Sequence, residues 1–120
     1  MSKSEYDKEL QQFYEEIVSK AITEVKSSLL SSDQGFKHST FFGAMHINPQ
    51  HLAIWYFFTK DSDLKNAEET HLTKEIINAT RESLKRNGYP DFIVPSIIPS
   101  FASDEEVQRD YGGNYRNYLQ

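Results

Sequence analysis

The sequence predicts a two-layer α/β domain of the α+β kind, with its elements in the order α-β-β-α-β-α around a small mixed sheet. Three observations lead to this fold class. Apolar residues recur every three or four positions in 5–30 and in 61–88, which is the helical period. Apolar runs of strand length lie between and after these helices. The chain has 120 residues, an ordinary size for one domain, so we expect residues 1–120 to form a single globular unit.

The first predicted helix covers residues 5–30. Its apolar residues form one stripe, which we expect to be buried: Leu10, Phe13, Ile17, Ala21, Val25 and Leu29. Lysine and glutamate occupy many of the remaining positions, as expected for a surface that faces solvent. The helix is expected to end among the serines that precede Gly35, and residues 31–39 are expected to form a polar loop.

Two strands are predicted next, at 41–47 and 51–59, and the Asn48-Pro49 dipeptide between them predicts a turn. Together they are expected to form an antiparallel hairpin. The second strand has apolar residues on both faces, which is typical of a central strand that is covered on both sides. We expect the two long helices to cover one face. The last helix, the C-terminal tail or a second copy of the protein would cover the other.

The second long helix is predicted over 61–88. Asp61 suits its start, whereas Gly88 and Pro90 suit its end. Its middle, EETHLT at 68–73, is weakly helical and leaves room for a break. Residues 92–102 combine β-branched residues with two prolines, so an edge strand, or a short strand inside an extended segment, is predicted there. The crossover through the helix would make this strand parallel to the one at 51–59.

The C-terminal stretch SDEEVQRDYGGNYRNYLQ, residues 103–120, begins with a helix start. Ser103 and Glu106 have the spacing of a capping box, and the helix is predicted to run to about Tyr111. Gly112 or Gly113 then suits the left-handed residue that commonly ends a helix. Residues 115–119 alternate weakly, so they are a candidate C-terminal edge strand.

The composition argues against several classes of function. The chain has no Cys, which excludes disulfides, thiolate nucleophiles and cysteine-ligated metals. It has 13 basic and 18 acidic residues and a formal net charge of −5, so it repels phosphate backbones and no nucleic-acid partner is expected. No apolar run approaches the roughly 20 residues that a membrane helix needs, and the first residues do not resemble a signal peptide. We therefore expect a cytoplasmic protein with no membrane partner.

Motifs for chemistry are sparse. The sequence has no glycine-rich phosphate loop, no Gly-x-Ser-x-Gly and no His-Glu-x-x-His, and we expect neither a cofactor nor a metal. Its four histidines are His38, His46, His51 and His71. His46 and His51 flank the predicted turn but lack the spacing of a metal site. An alternative function, a small enzyme or a ligand-binding domain, would have its site near this hairpin.

The candidate binding surface is the tail. Tyr and Arg are enriched at binding hot spots because they combine a large contact area with a polar group. The candidate residues are Tyr111, Tyr115, Arg116, Tyr118, Asp104 and Glu105. A competing interpretation, which we favour for the tyrosines, is that they close the protein's own sheet. Recognition of a small anion by Arg109 or Arg116 is a third interpretation.

These observations together predict a small, acidic, non-enzymatic protein-binding domain. Its partner would be another protein with a basic surface, because opposite charges favour docking. One concrete form is an inhibitor or immunity-type protein that masks a basic partner. A homodimer is a further alternative. The sequence leaves open the identity of the partner, the oligomeric state and any role of His46 and His51.

Overall fold

The computed structural model describes residues 2–120, and this part of the chain contains five α-helices and three β-strands. In chain order they are α1 (Lys3–Leu29), β1 (Phe36–Phe42), β2 (Ala53–Phe58), α2 (Asp61–Glu69), α3 (Leu72–Arg86), β3 (Ser100–Ser103), α4 (Asp104–Tyr111) and α5 (Tyr115–Tyr118). Short 3-10 turns lie at Ser32–Gln34, Pro49–His51 and Val94–Ser96. The predicted fold class, a two-layer α+β arrangement with a small mixed sheet, is confirmed.

The sheet has the strand order β1-β2-β3. β1 and β2 are antiparallel, with Thr40 opposite Trp55, and β2 and β3 are parallel, with Trp55 opposite Ser100. The parallel pair is separated in sequence by α2 and α3, as a crossover connection requires. The strand that is apolar on both faces, β2, is therefore central, and β3 is a short edge strand. Both points were predicted from the sequence.

The main core lies between the first face of the sheet and the helices α1 and α3. Ile54, Tyr56 and Phe58 of β2 contribute to this core, and all three are almost completely buried. The buried part of α1 extends from Ile17 to Val25. The hydroxyl of Tyr56 would be costly to bury alone, and the hydroxyl of Thr80 in α3 satisfies it at 2.8 Å.

The first strand begins five residues earlier than predicted, so the prediction of a strand at 41–47 is wrong. The polar loop ends at Gly35, whose φ of 77° turns the chain into β1. The pairing register with β2 shifts between Phe36 and His38. This bulge interrupts the two-residue alternation from which a strand is predicted. Residues 43–52 then form the connection to β2, which is longer than the segment between the two predicted strands.

The long helix predicted over 61–88 is two helices, separated by Thr70 and His71. The break falls in the segment EETHLT, where the sequence left room for one. His71 has a φ of 65°, the left-handed region that an L-residue other than glycine rarely adopts. The Thr70 hydroxyl donates to the carbonyl of Asn66 at 2.9 Å, which caps the end of α2.

The second face of the sheet is covered by α4 and α5. Residues 115–119 are not an edge strand, and that prediction is wrong. Asn114 caps α5 by accepting from the backbone N–H of Asn117 at 3.0 Å, a local bond that favours a helical turn. Phe57 of β2 is completely buried on this face. No helix described in residues 2–120 is both long enough and apolar enough to cross a membrane.

Candidate functional site

The tail packs its tyrosine rings against the second face of the sheet. Tyr115 meets Phe57 edge to face with ring centroids 5.0 Å apart. Tyr118 lies edge-on to Trp55 at 5.7 Å and to Phe57 at 6.3 Å. Edge-to-face contacts of this kind add about 0.5–1.5 kcal/mol to the effect of burial. Of the coverings that the sequence allowed for this face, the structure shows the last helix and the tail.

The hydroxyls of both tyrosines are bonded to carboxylates of α4. Tyr115 donates to Asp104, and Tyr118 donates to Glu106. Glu106 therefore serves the tail rather than completing the predicted capping box, although Ser103 accepts from the Glu106 N–H at 3.0 Å as predicted. Burial and the adjacent carboxylate raise the pKa of both hydroxyls. The tyrosines are thus held as neutral donors.

Asp104 is the central polar group of this cluster. It is 9% exposed, and Lys37 of β1 pairs with its carboxylate at 2.8 Å. Gln108 is a further donor, at 3.4 Å. The hydrogen bond from Lys37, followed by the one from Tyr115, holds the pKa of Asp104 below its ordinary value. The pairing joins the start of β1 to the start of α4 and fixes the tail on the sheet.

His38 lies inside the same cluster, although no sequence pattern selects it. Its ring stacks on Phe57 with centroids 4.8 Å apart and an interplanar angle of 23°. Tyr115 meets its edge at 4.9 Å. Burial lowers the pKa of His38, and the charge of Lys37 lowers it further, whereas Asp104 raises it. The expected polar loop over 31–39 concealed His38 and Lys37, because loop residues have no predictable facing side.

Glu105, the other acidic residue of the predicted surface, bonds inside the protein as well. Its side chain accepts from the backbone N–H of Asp61 at 3.1 Å. Asp61 in turn receives hydrogen bonds from Ser103 and from Arg109, the latter at 2.8 Å. These two bonds, Ser103 first, lower the pKa of Asp61. The network joins the start of α2 to α4, and it engages the Arg109 that one interpretation assigned to an anion.

Three of the six predicted binding residues are exposed, and one of these, Glu105, is engaged as the hydrogen-bond acceptor described above. Tyr111 is 44% exposed, although its ring meets that of Tyr118 at 5.2 Å. Arg116 is exposed on α5, and no ion pair within residues 2–120 engages it. Tyr115, Tyr118 and Asp104 face the protein's own sheet or one another. Binding of a partner by the six residues stays a prediction, with Tyr111, Arg116 and Glu105 as its exposed members.

The histidines of the predicted hairpin do not form one site. Gln11 of α1 donates to the carbonyl of Gly43 at 2.9 Å, which fixes the orientation of its amide. Its amide oxygen then accepts from the backbone N–H of His46 at 3.1 Å and lies 3.0 Å from Nδ1 of the same residue. His46 thus clamps a loop to α1, whereas His51 is exposed in a 3-10 turn. Across residues 2–120 no group of three acidic or histidine side chains is placed to hold a metal ion.

A second candidate surface lies away from the tail. Seven large apolar side chains of the described residues are exposed, and only Tyr111 among them belongs to the tail. We call the region formed by the other six the open end. They are between 43% and 82% exposed: Tyr6, Phe13, Phe42, Ile47, Phe92 and Ile98. An exposed apolar surface of this kind commonly marks a site of interaction.

The sheet topology places the open end opposite the tail. Phe42 closes β1 and pairs with Ala53, the first residue of β2, whereas the tail packs near the last residues of β2. Ile98 lies at the same end of the sheet. It precedes Ser100 of β3 by two residues, and Ser100 pairs with Trp55 near the start of β2. The two candidate surfaces therefore lie at opposite ends of the strands.

The first half of α1 extends beyond the sheet at the open end. Gln11 lies beside Gly43, the residue that follows β1, so the helix residues before Gln11 have no strand beneath them. Tyr14 packs against Tyr89 with ring centroids 5.5 Å apart, which brings the segment containing Phe92 to the same end. Phe13 was predicted to be buried and is 56% exposed instead.

Lengths explain the exposure at the start of α1. A helix of 27 residues spans about 40 Å, whereas a strand of seven residues spans about 24 Å. A sheet of such strands can bury only part of the apolar stripe of α1. The lengths are the signal from which exposure of Tyr6, which precedes Gln11, is predictable. Phe13 is exposed although the next residue, Tyr14, packs against the core.

The first half of α1 is acidic, although Glu15 and Glu16 lie beside Phe41 of β1 and not beyond the sheet. Residues 2–16 carry five acidic and two basic side chains, namely Glu5, Asp7, Glu9, Glu15 and Glu16 against Lys3 and Lys8. Exposed aromatic rings and a surrounding excess of carboxylates thus occur on the same helical segment.

Comparison of the chain with protein-family models, with curated proteins and with solved structures found no match.

Proposed function

We propose that the protein is a small, non-enzymatic, cytoplasmic binding domain that docks a basic protein partner through its open end. The observation that supports this proposal is the first half of α1, where Tyr6 is 58% and Phe13 is 56% exposed among acidic residues. An inhibitor or immunity-type protein, which masks a basic surface of its partner, is one concrete form of such a domain.

The chemistry of the first half of α1 defines the partner. Aromatic side chains contribute strongly to binding when a partner covers them and excludes water. The carboxylates around Tyr6 and Phe13 attract lysine and arginine at the rim of the contact, and they disfavour an acidic competitor. The matching surface is therefore an apolar depression with a basic rim.

The tail contributes less accessible surface to such a contact. The rings of Tyr115 and Tyr118 already pack on the sheet, and their hydroxyls donate to carboxylates. Releasing them for a partner would expose Phe57, which is completely buried. A tail contact that leaves the fold intact would rest on Tyr111 and Arg116.

The test compares the two surfaces with defined probes. An amphipathic helical peptide of leucine and lysine is titrated into the ¹⁵N-labelled protein, and its glutamate-for-lysine counterpart serves as the charge-reversed probe. We expect the lysine peptide, but not the glutamate peptide, to shift amide resonances of the first half of α1 and of residues near Ile47 and Phe92. The variant Tyr6→Ser/Phe13→Ser is expected to weaken this binding at least tenfold, because it removes the apolar contact area.

The matched control is Tyr111→Ala/Arg116→Ala, which removes the accessible part of the tail and is expected to leave peptide binding unchanged. The same three proteins, together with a Glu5→Lys/Glu9→Lys variant, are then used as baits in a native lysate. A partner lost with the open-end variants and kept with the tail variant would support the proposal. Equal binding of both peptides, or loss of binding only in the tail variant, would overturn it.

A further inference from the structure

The outer side of β1 is a free sheet edge. In the described part of the chain β1 pairs only with β2, so its outward backbone groups have no strand partner. Proteins commonly protect such edges with charges, prolines or bulges. Here the bulge and Lys37 protect only the beginning of the strand. The five residues His38–Phe42 are regularly paired with β2 and contain no proline, lysine, arginine or carboxylate.

The helix α1 runs beside this edge and forms a groove with it. The groove is lined by Ser19, Ile22, Thr23 and Lys26 of α1 and by Ser39, Thr40 and Phe41 of β1. It continues toward the start of the helix past Gln12, Glu15 and Glu16. These α1 residues follow one another in steps of three or four, so they share one side of the helix.

The charges along this side of α1 have opposite signs at its two ends. Glu15 and Glu16 lie toward the N-terminus, and Lys26 lies toward the C-terminus. Ser19 and Thr23, which have short side chains, lie between them and beside Thr40. A two-fold rotation about an axis near Thr40 exchanges the two ends of the groove. Each acidic end would then face a basic end, so the surface is complementary to itself.

We propose that the β1 edge is a homodimer interface, at which β1 of a second copy pairs antiparallel across a two-fold axis near Thr40. The two three-stranded sheets then form one continuous sheet by strand addition. Lys26 of each copy faces Glu15 and Glu16 of the other. This interface goes beyond the proposed partner surface at the open end and does not rest on it.

Dimensions support simultaneous contact of the strands and the helices. The stretch from Gln12 to Lys26 spans about 21 Å along α1, and five strand residues span about 17 Å. The two-fold axis places both α1 helices on the same face of the joined sheet, where neighbouring helices need about 8–10 Å between their axes. The short side chains of Ser19 and Thr23 allow a close approach at the centre. A single extended peptide would use the edge but would leave the paired charges of α1 without a partner.

The first test is the oligomeric state over a concentration series from about 1 µM to about 1 mM, measured by sedimentation velocity. We expect the wild type to shift from 14.0 kDa toward twice that mass as the concentration rises. Two charge variants test the pairing of the helices, Lys26→Glu and Glu15→Lys/Glu16→Lys. In a dimer of either variant, like charges would face each other at both ends of the groove, so each variant alone is expected to dimerise at least tenfold more weakly than the wild type.

Mixing the two variants gives the sharper result. One copy then presents only carboxylates along the groove and the other only lysines, so an equimolar mixture is expected to form the heterodimer. The matched controls are Lys20→Glu, on a different side of α1, and Glu68→Lys/Glu69→Lys on α2, which are expected to dimerise like the wild type. In the dimer, alternate backbone amides of His38–Phe42 should also gain protection from hydrogen exchange.

A wild type that remains at 14.0 kDa over the whole series would overturn the proposal and leave the edge to an extended peptide. Dimerisation that is equally strong in the charge variants, or that gives no protection in β1, would overturn it as well. Failure at the open end and failure here are distinguishable, because the two experiments use different variants and different readouts.

Discussion

Both ends of the molecule carry aromatic side chains of the same kinds, but these side chains pack against the sheet at the tail and are exposed at the open end. At the tail, Tyr115 and Tyr118 have a ring neighbour on the sheet and a carboxylate for each hydroxyl. At the open end, Tyr6 and Phe13 lie on a helix that extends past the sheet. The difference comes from the strand lengths and the local polar partners, not from the residue types. Aromatic composition alone therefore indicates neither a core nor an interface.

The largest expected difference between the two ends concerns stability. Phe57→Ala removes a completely buried ring beneath the tail and should lower the free energy of unfolding by about 3–5 kcal/mol. Phe13→Ala makes the same chemical change at the open end, where the effect should stay within about 0.5 kcal/mol. Urea unfolding followed by circular dichroism measures both values. Similar losses in the two variants would show that the open end is packed in solution.

The next prediction concerns the polar connection that fixes the tail. Asp104→Asn keeps the shape of the side chain but removes the charge that pairs with Lys37, so it should lower the free energy of unfolding by about 1–3 kcal/mol at neutral pH. Asp110→Asn, on the exposed side of α4, is the matched control and should change it by less than about 0.5 kcal/mol. Urea unfolding of the two variants at neutral pH measures both values.

Acid should remove the difference between the wild type and Asp104→Asn. The pKa of Asp104 is lower in the folded chain than the ordinary value of about 3.9, so the unfolded chain binds the proton first. The stability that this carboxylate contributes is present above that value and is lost as the pH falls through the lowered pKa. Unfolding curves of both proteins at several acidic pH values measure the convergence. A difference that persists after protonation would assign the effect to shape rather than charge.

Much of the fold is predictable from local patterns. The helical period gave α1, and the break between α2 and α3 was visible as a weak segment near His71. The two apolar faces of β2 correctly predicted a central strand with both sides covered. The position of β1 was not predictable in this way, because the bulge after Phe36 removed the alternation. The prediction of a strand at the position of α5 was wrong because the helical turn depends on a local hydrogen bond. The Asn114 side chain accepts this bond from the backbone N–H of Asn117.

The candidate sites depend on contacts between distant segments, which a single sequence does not contain. Asp104 and Lys37 are separated by most of the chain, and only the fold brings them within 2.8 Å. His38 was hidden in a segment expected to be a loop. Exposure of Tyr6 follows from comparing the length of α1 with that of the strands, a comparison of elements that periodicity within one helix does not include.

The smallest expected effect concerns His38, which senses how well the tail excludes water. Burial, followed by the charge of Lys37, lowers its pKa below the ordinary value of about 6.5, because both disfavour the imidazolium. The folded chain therefore favours the neutral ring. Stability from this group is present above the ordinary pKa and is lost as the pH falls through the lowered one. The effect is modest because solvent still reaches the ring and Asp104 opposes the shift.

A proton NMR titration of the histidine rings measures this pKa directly, with His38→Phe to assign the signal. The phenyl ring retains the stacking on Phe57, so His38→Phe should remove the pH dependence of stability in this range while the tail stays packed. His51→Phe, at an exposed turn, is the matched control and should leave that dependence in place. A titration of His38 at or above the ordinary value would mean that water enters beneath Tyr115. The closed and open ends would then differ less in solution than their contacts indicate.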